Sequence, residues 1–418
     1  MASNTQGMRR WLKRSPSVYT AEGSPRHASW LELFFDLVFV VAIAEIGTNL
    51  HHNLTLEGLL YFTGIFALVW WVWLDFSYYA DLYADEDAFS RMSLIAVMFV
   101  IIFLSQTIDG VFHGDTFTFG AIVLFLRLVL TALYLRPGPT VADAETKWFV
   151  ATWATSELLT TSVWAASLFV PDPLRFGLWM VAFGINMVGV AVMYVVFDNV
   201  LVQVSHFPER LGLITIIVLG ETILAVSFGT SIATTGLHVR PGPLLVGLAG
   251  FVVAVGAWWL YFEQFDEDVI DRALTAPPDR LYRARQAALT YVFSHFLVHI
   301  GIVAAGVGVV FAIEATTEGI PLEADSRLVL CGGAAAFLAG CLIIHRAILQ
   351  VSHDNPFDTH VLVARLAAMA ILVALIPYGG MFSPLGLISV VAVVFVFLVG
   401  FETLIHPWAD TALDLSGA

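Results

Sequence analysis

Apolar residues in this chain run in long unbroken blocks rather than in stripes. Reading for runs of about 18 or more such residues gives twelve segments. The first six are Ser29–Leu50, Glu57–Tyr83, Ser90–Phe112, Thr116–Leu135, Thr146–Val170 and Leu174–Val200. The second six are Phe207–Ala233, Pro241–Phe265, Tyr282–Ile313, Ser326–Gln350, Thr359–Tyr378 and Pro384–His406. About 20 residues of helix cross a bilayer, and a helix that is apolar all round is buried in lipid or among other helices. The connections are short and carry breakers, as in Arg136-Pro137-Gly138-Pro139 and Arg240-Pro241-Gly242-Pro243. The pattern predicts an all-α integral membrane protein of about twelve transmembrane helices.

Composition agrees. Of 418 residues, 59% are hydrophobic and 13% are charged, against roughly 25% charged in soluble domains. This excludes a soluble enzyme, a nucleic-acid-binding protein and a disordered chain. Cys331 and Cys341 lie ten residues apart in one run, about 15 Å along a helix, too far for a disulfide. The net charge is −15, but orientation depends on where Lys and Arg fall. With both termini inside, 14 basic residues are cytoplasmic and 3 are external, so the expected topology is N-in, C-in. The first run holds Glu32 and Asp36 without an obvious cleavage site and reads as a retained span.

The chain looks internally duplicated. Trp70-Trp71 is followed by Asp75, and Trp258-Trp259 by Glu263, at the same spacing. Asp198 near the end of the sixth run is echoed by Glu402 near the end of the twelfth. An even number of spans per half gives parallel repeats. The expected organisation is a basic cytoplasmic segment over 1–28, six-helix repeats over 29–205 and 206–406, and a cytoplasmic tail over 407–418. Aromatic clustering at the membrane interface is the competing explanation of the paired tryptophans.

The chemistry rests on ionisable residues inside apolar runs. Each costs about 3 kcal/mol at mid-bilayer on insertion scales and is usually paired, hydrated or functional. Glu32 and Asp36 share a helical face at spacing i, i+4. They read either as a cation or proton site lining a pathway, or as one acid paired with a base and one favoured by the helix N-terminus. Glu221 lies fourteen residues into the seventh run, about 21 Å along a helix, and is the leading candidate for a transport carboxylate. Asp75 and Glu263 join it as pathway candidates, with snorkelling to the interface as the alternative. Glu209 and Arg210 read as a structural ion-pair junction. Arg127 and Arg365 must each find a carboxylate or water, and Glu157, Glu32 and Asp36 are the expected partners. His295 and His299, at i, i+4, are candidates for proton relay or interhelical hydrogen bonding. No metal site is predicted, and no cofactor, although haem or metal ligation through a histidine is an open alternative.

Two stretches carry a resemblance. Leu31-Glu32-Leu33-Phe34-Phe35-Asp36-Leu37-Val38-Phe39-Val40, and the stretch from His206 through Glu209-Arg210-Leu211-Gly212 to Gly220-Glu221-Thr222, are similar to signatures of the bacterial low temperature requirement protein A family. The resemblance implies a multi-span protein of the bacterial inner membrane, linked by name to growth in the cold. It also implies that Glu32, Asp36, Glu209, Arg210, Gly220 and Glu221 are positions the family keeps. The first run further resembles the pore-lining first helix of lysosomal potassium/proton channels built from six-span repeats. Here it reads Glu32-Leu33-Phe34-Phe35-Asp36, with Phe35 in place of that family's serine and without its arginine.

The sequence therefore points to a transporter or channel for a cation or a proton-coupled small solute. Its partners are the lipid bilayer and that cation or solute, with no nucleic acid and with homo-oligomerisation left open. The alternatives are a membrane-embedded enzyme or haem/redox protein, and a cold-adaptation sensor or scaffold without transport. An enzymatic role is the less favoured of these.

Overall fold

The computed structural model describes residues 29–82, 88–135, 144–197, 207–232, 234–235, 238–263, 280–351 and 359–414. The basic N-terminal segment, Asp198 and His206 lie outside these residues. The described chain is helical apart from a two-residue β-ribbon. The helices are α1 (Trp30–His52), α2 (Leu56–Leu82), α3 (Ala88–Gln106) with a short α4 (Ile108–Phe112), α5 (Phe117–Leu135), α6 (Ala144–Ser167) and α7 (Leu174–Val196). They continue with α8 (Phe207–Ile232), strands β1 (Thr234–Thr235) and β2 (His238–Val239), α9 (Pro241–Phe262) and α10 (Leu281–Glu318). Last come α11 (Ala324–Arg327), joined by a π-helical turn (Leu328–Gly332) to α12 (Gly333–Val351), then α13 (Thr359–Tyr378) and α14 (Pro384–Asp414).

Among the described residues, nine helices are long and apolar enough to cross a membrane. The long helices that do not qualify are α1, α6 and α8. These three carry Glu32, Asp36 and Glu45; Glu145, Lys147 and Glu157; and Glu209, Arg210 and Glu221. Large apolar side chains such as Phe99, Phe103, Val188 and Val393 stand exposed on the outside of the helices. That is the arrangement expected where the surrounding solvent is hydrocarbon. α10 has 38 residues, about 57 Å of helix, well beyond a hydrocarbon core of about 30 Å.

Helix ends follow local chemistry. Ser29 Oγ accepts the Glu32 backbone N–H at 3.3 Å, an N-cap for α1. α9 starts at Pro241, where the missing N–H costs nothing. Gly319 ends α10 with φ of 74°, and the Ile320 N–H then reaches back to the Ala315 carbonyl at 2.9 Å. That is the bond of a Schellman cap, whose left-handed residue favours glycine.

The chain forms two compact units. The first comprises 1–49, 56–214 and 267–289, and the second 50–55, 215–266 and 290–418. α1, α8 and α10 thus contribute residues to both. The first unit is packed by aromatic rings: Trp164 stacks on Trp179 at 5.1 Å, Tyr78 on Phe207 at 4.7 Å, and Trp71 meets Phe183 edge-on at 5.3 Å. Trp179 donates its indole N–H to Ser167 Oγ at 3.0 Å, so the polar end of this ring is satisfied in the apolar interior.

The second unit is packed by small residues. A Cβ on Gly301 of α10 would stand 2.5 Å from the Phe337 backbone nitrogen and 2.7 Å from the Gly333 carbonyl oxygen. One on Gly340 would meet the Val298 nitrogen at 2.8 Å. α10 and α12 therefore touch backbone to backbone, the close approach that small residues permit in membranes. The paired tryptophans, similar in sequence, differ in setting. Trp70 and Trp71 are buried in the first unit, whereas Trp258 and Trp259 are exposed in the second.

Candidate functional site

The first unit holds two buried charge clusters. In one, Glu32 and Asp36 of α1 are both buried, Asp36 completely. Their i, i+4 spacing puts them on one face, and that face is turned inward. Asp36 Oδ1 accepts hydrogen bonds from Arg210 Nη2 at 2.6 Å and from Trp73 Nε1 at 2.7 Å, while Oδ2 accepts from Arg210 Nε at 3.4 Å. The guanidinium lies 5.9 Å from the Phe35 ring centre and 6.0 Å from that of Trp73, within cation–π range. Glu32 and the buried Asp81 also act electrostatically on Arg210. Glu209, its neighbour, is half-buried.

The other cluster crosses four helices. Arg127 of α5 places Nη1 2.9 Å from Asp75 Oδ2 on α2 and 2.9 Å from Glu157 Oε2 on α6. Asn186 of α7 completes it. With its carboxamide oxygen turned to the donors, as the surrounding hydrogen bonds require, that oxygen accepts from Arg127 Nη2 at 2.6 Å, Arg127 Nη1 at 3.0 Å and Trp71 Nε1 at 2.7 Å. Its nitrogen donates to Thr160 Oγ1 at 3.3 Å. Asp75, Arg127, Glu157 and Asn186 are all buried. Two carboxyl groups share one guanidinium, so the cluster carries one excess negative charge when both are ionised. Burying an unpaired charge is costly, and the cluster is complete only when something neutralises it.

The second unit is built differently. Arg365 of α13 forms a two-pronged pair with Glu402 of α14, Nε to Oε1 at 2.7 Å and Nη2 to Oε2 at 2.8 Å. One guanidinium meets one carboxylate and the charges cancel. Arg127 and Arg365 therefore sit in unlike settings. His295 and His299 of α10 are fully buried. His295 Nδ1 lies 2.7 Å from the Tyr291 carbonyl, which only accepts, so Nδ1 carries the proton and Nε2 accepts from the Tyr261 hydroxyl at 2.9 Å. His299 Nε2 lies 2.8 Å from Thr215 Oγ1. Glu221 is half-buried in α8, and Glu263 is exposed at the C-terminal end of α9.

The pathway candidates thus fall into separate settings. Glu32 and Asp36 join Arg210; Asp75 joins Arg127 and Glu157; Glu221 and Glu263 belong to the second unit and to neither cluster. Asn186, the one amide side chain of α7, is absent from the sequence-based candidates, and in the sequence Trp71 marks a repeated tryptophan pair or an interfacial cluster rather than a donor to a buried amide. Both nitrogens of His295 are engaged within the protein, so ligation of haem or metal there requires their release. Among the described residues no group of three or more His, Cys, Asp or Glu side chains converges as a metal site. An apolar groove of about 560 Å³ is lined by residues including Val363, Ala367, Phe397 and Phe401. None of the buried acids lies on its walls.

Many apolar helices and charges buried among them define a multi-pass helical membrane protein. The comparisons then fix its family. The model of the bacterial low temperature requirement A protein (LtrA) matches residues 27–400, and the chain belongs to the LtrA family. An uncharacterized protein of Rhizobium meliloti (strain 1021) is 28% identical over 360 residues, covering 82% of each chain. No solved structure matches.

Proposed function

We propose that this LtrA-family protein moves a cation, or a small solute coupled to protons, across the bacterial inner membrane, with Asp75, Glu157 and Arg127 as its ion site. The observation that carries the reading is the charge imbalance of that cluster. Its two buried acids share a single buried base, whereas the Arg365–Glu402 pair is balanced. A pair serving only architecture has no need of a second carboxylate, and an ion site needs a group whose charge is satisfied only on loading. α1, α6 and α8 are taken as spans as well. Glu32, Asp36, Glu157 and Arg210 in them are buried in protein rather than set toward lipid, which makes crossing tolerable, and the total becomes twelve with both termini cytoplasmic. Asp36 and Glu32, held by Arg210, form a second polar layer in the same unit, and Glu221 and Glu263 belong to the pathway in the other.

The test is flux through purified protein in liposomes, read with proton-sensitive and potassium-sensitive dyes. Wild type is expected to pass protons or a monovalent cation above the rate of empty liposomes, and Asp75→Asn or Glu157→Gln to remove that flux. Absence of any ion or solute movement by wild type across a broad panel would overturn the proposal. A growth effect in the cold that survives both substitutions would favour a sensor or scaffold.

A further inference from the structure

We infer that the apolar groove between α13 and α14 is a lipid site, which holds one acyl chain of a phospholipid and places the headgroup phosphate at His360. The inference stands on the shape of the second unit and is independent of the transport reading.

The groove follows from side-chain size. Ala364, Ala367 and Ala368 line it from α13, and Phe397 and Phe401 from α14. The two rings stack at 5.9 Å and make one wall, while the alanines opposite leave room in front of it. The volume of about 560 Å³ falls within the range of clefts that bury a small ligand, about 300–1,000 Å³. Val363, Ile371, Val393 and Phe397 stand exposed along it. The groove therefore opens to the outside of the helices, where the surroundings are hydrocarbon.

Length and polarity select the occupant. On α13 the lining runs from His360 to Ile371, eleven residues or about 16 Å of helix. One leaflet of the hydrocarbon core is about 15 Å deep, half of about 30 Å. The turn at Gly379–Met381 sends α14 back along α13, so Phe401 stands at the His360 end and Val393 at the Ile371 end. The groove thus begins where α13 begins and stops at mid-membrane, the reach of one acyl chain. A helix from a second copy crosses both leaflets and needs a groove that continues along α13 toward Tyr378. Among the described residues that line the groove, only His360 is polar, and it lies in the first turn of α13. An imidazole N–H donates to phosphate oxygens, and the N-terminal end of a helix carries the positive end of its dipole. Both favour an anionic headgroup at that end, in the cytoplasmic leaflet of the proposed topology. Lipid tails are as apolar as these walls, so preference comes from packing and from the headgroup.

Native mass spectrometry of the full chain in detergent tests the site. The protein is titrated with dioleoyl phosphatidylglycerol and, in parallel, with dioleoylglycerol, which has the same tails and no phosphate. Wild type is expected to retain one phosphatidylglycerol per chain more tightly than any further copy, and more tightly than dioleoylglycerol. Ala367→Phe fills the groove and should weaken that first step at least about tenfold. His360→Ala should weaken it by about tenfold for phosphatidylglycerol and leave dioleoylglycerol unchanged. Val188→Phe, on the exposed face of α7, should alter neither. A second measurement needs no groove variant. Phosphatidylglycerol carrying a nitroxide at mid-chain, added at one equivalent to wild type, should broaden the NMR methyl signals of Ile371 and Val393 and spare Val188. A first step unchanged by Ala367→Phe, equal retention of dioleoylglycerol, or equal broadening at Val188 overturns the inference. So does a dimer that Ala367→Phe dissociates, which would put a second copy in the groove.

Discussion

Removing the Arg210 guanidinium while keeping Asp36 tests whether the deepest charges form a true buried pair. Asp36 is fully buried and receives donors at 2.6, 2.7 and 3.4 Å, two of them from Arg210. Breaking a buried pair by deleting one partner costs about 3–5 kcal/mol. In Arg210→Leu the Trp73 N–H still reaches Asp36, and a bond to a charged group is worth roughly 1.5–3 kcal/mol. The expected loss is therefore near the lower end, about 3 kcal/mol. In Asp36→Leu the guanidinium is the orphan and cannot shed its charge. Glu32 and Asp81 act on it too, so about 3 kcal/mol is expected there as well. The double variant Asp36→Leu/Arg210→Leu removes both hydrogen-bonded partners, and replacement of a whole pair by apolar side chains is often neutral or stabilising. Buried Glu32 and Asp81 still lose the Arg210 charge, so the double variant should lose about 3 kcal/mol, as one single variant does, a coupling of ~3 kcal/mol for contacting residues. Reversible unfolding in mixed micelles, followed for all four proteins, measures the cycle. Single losses below ~1 kcal/mol, or a double variant as damaged as the two singles added together, would refute the reasoning.

Three further outcomes are expected from the same unfolding assay. Gly301→Ala should cost more than ~1–3 kcal/mol, the usual price of overpacking, because the atoms a Cβ would meet at 2.5 and 2.7 Å are backbone; Gly220→Ala, where a Cβ meets nothing within 4 Å, should be neutral or stabilising by up to ~1 kcal/mol of helix propensity, and equal effects would contradict the close crossing. Arg365→Lys should lose roughly 1–3 kcal/mol, since an ammonium cannot reproduce the two-pronged bond to Glu402; full stability in the lysine variant would show that the second prong contributes nothing. Tyr261→Phe should cost about 1–3 kcal/mol by leaving buried His295 Nε2 without its donor, with part of that loss recovered when His295→Leu is added; strict additivity would show that the two side chains do not share a bond.

Much of the fold could be read from the chain because lipid imposes a simple rule. Long apolar runs become helices, and Pro and Gly mark their ends, as at Pro241 and Gly319. Spacing alone puts Glu32 and Asp36 on one face, and of the three partners expected for Arg127 and Arg365 (Glu157, Glu32 and Asp36), Glu157 meets Arg127 while Arg365 meets Glu402 instead. Tertiary contacts were not readable. Asp36 and Arg210 are 174 positions apart, and nothing local in either segment specifies the pair. Asp75 and Glu263 look alike because both follow paired tryptophans, yet one is buried on Arg127 and the other is exposed. Hydropathy reports how apolar a segment is, not whether a given side faces protein or lipid. The same limit bears on α1, in which buried Glu32 and Asp36 make a helix that faces protein read as less apolar.

Charge displacement on a solid-supported membrane addresses the ion site most directly. Protein adsorbed in proteoliposomes is given a pH jump and, separately, a jump in potassium or sodium, and the transient current is recorded. Wild type should give a current with the pH jump that is lost in both Asp75→Asn and Glu157→Gln and retained in Arg365→Lys. No current in wild type, or a current unchanged when Asp75 and Glu157 are both neutralised, would contradict an ion site at this cluster.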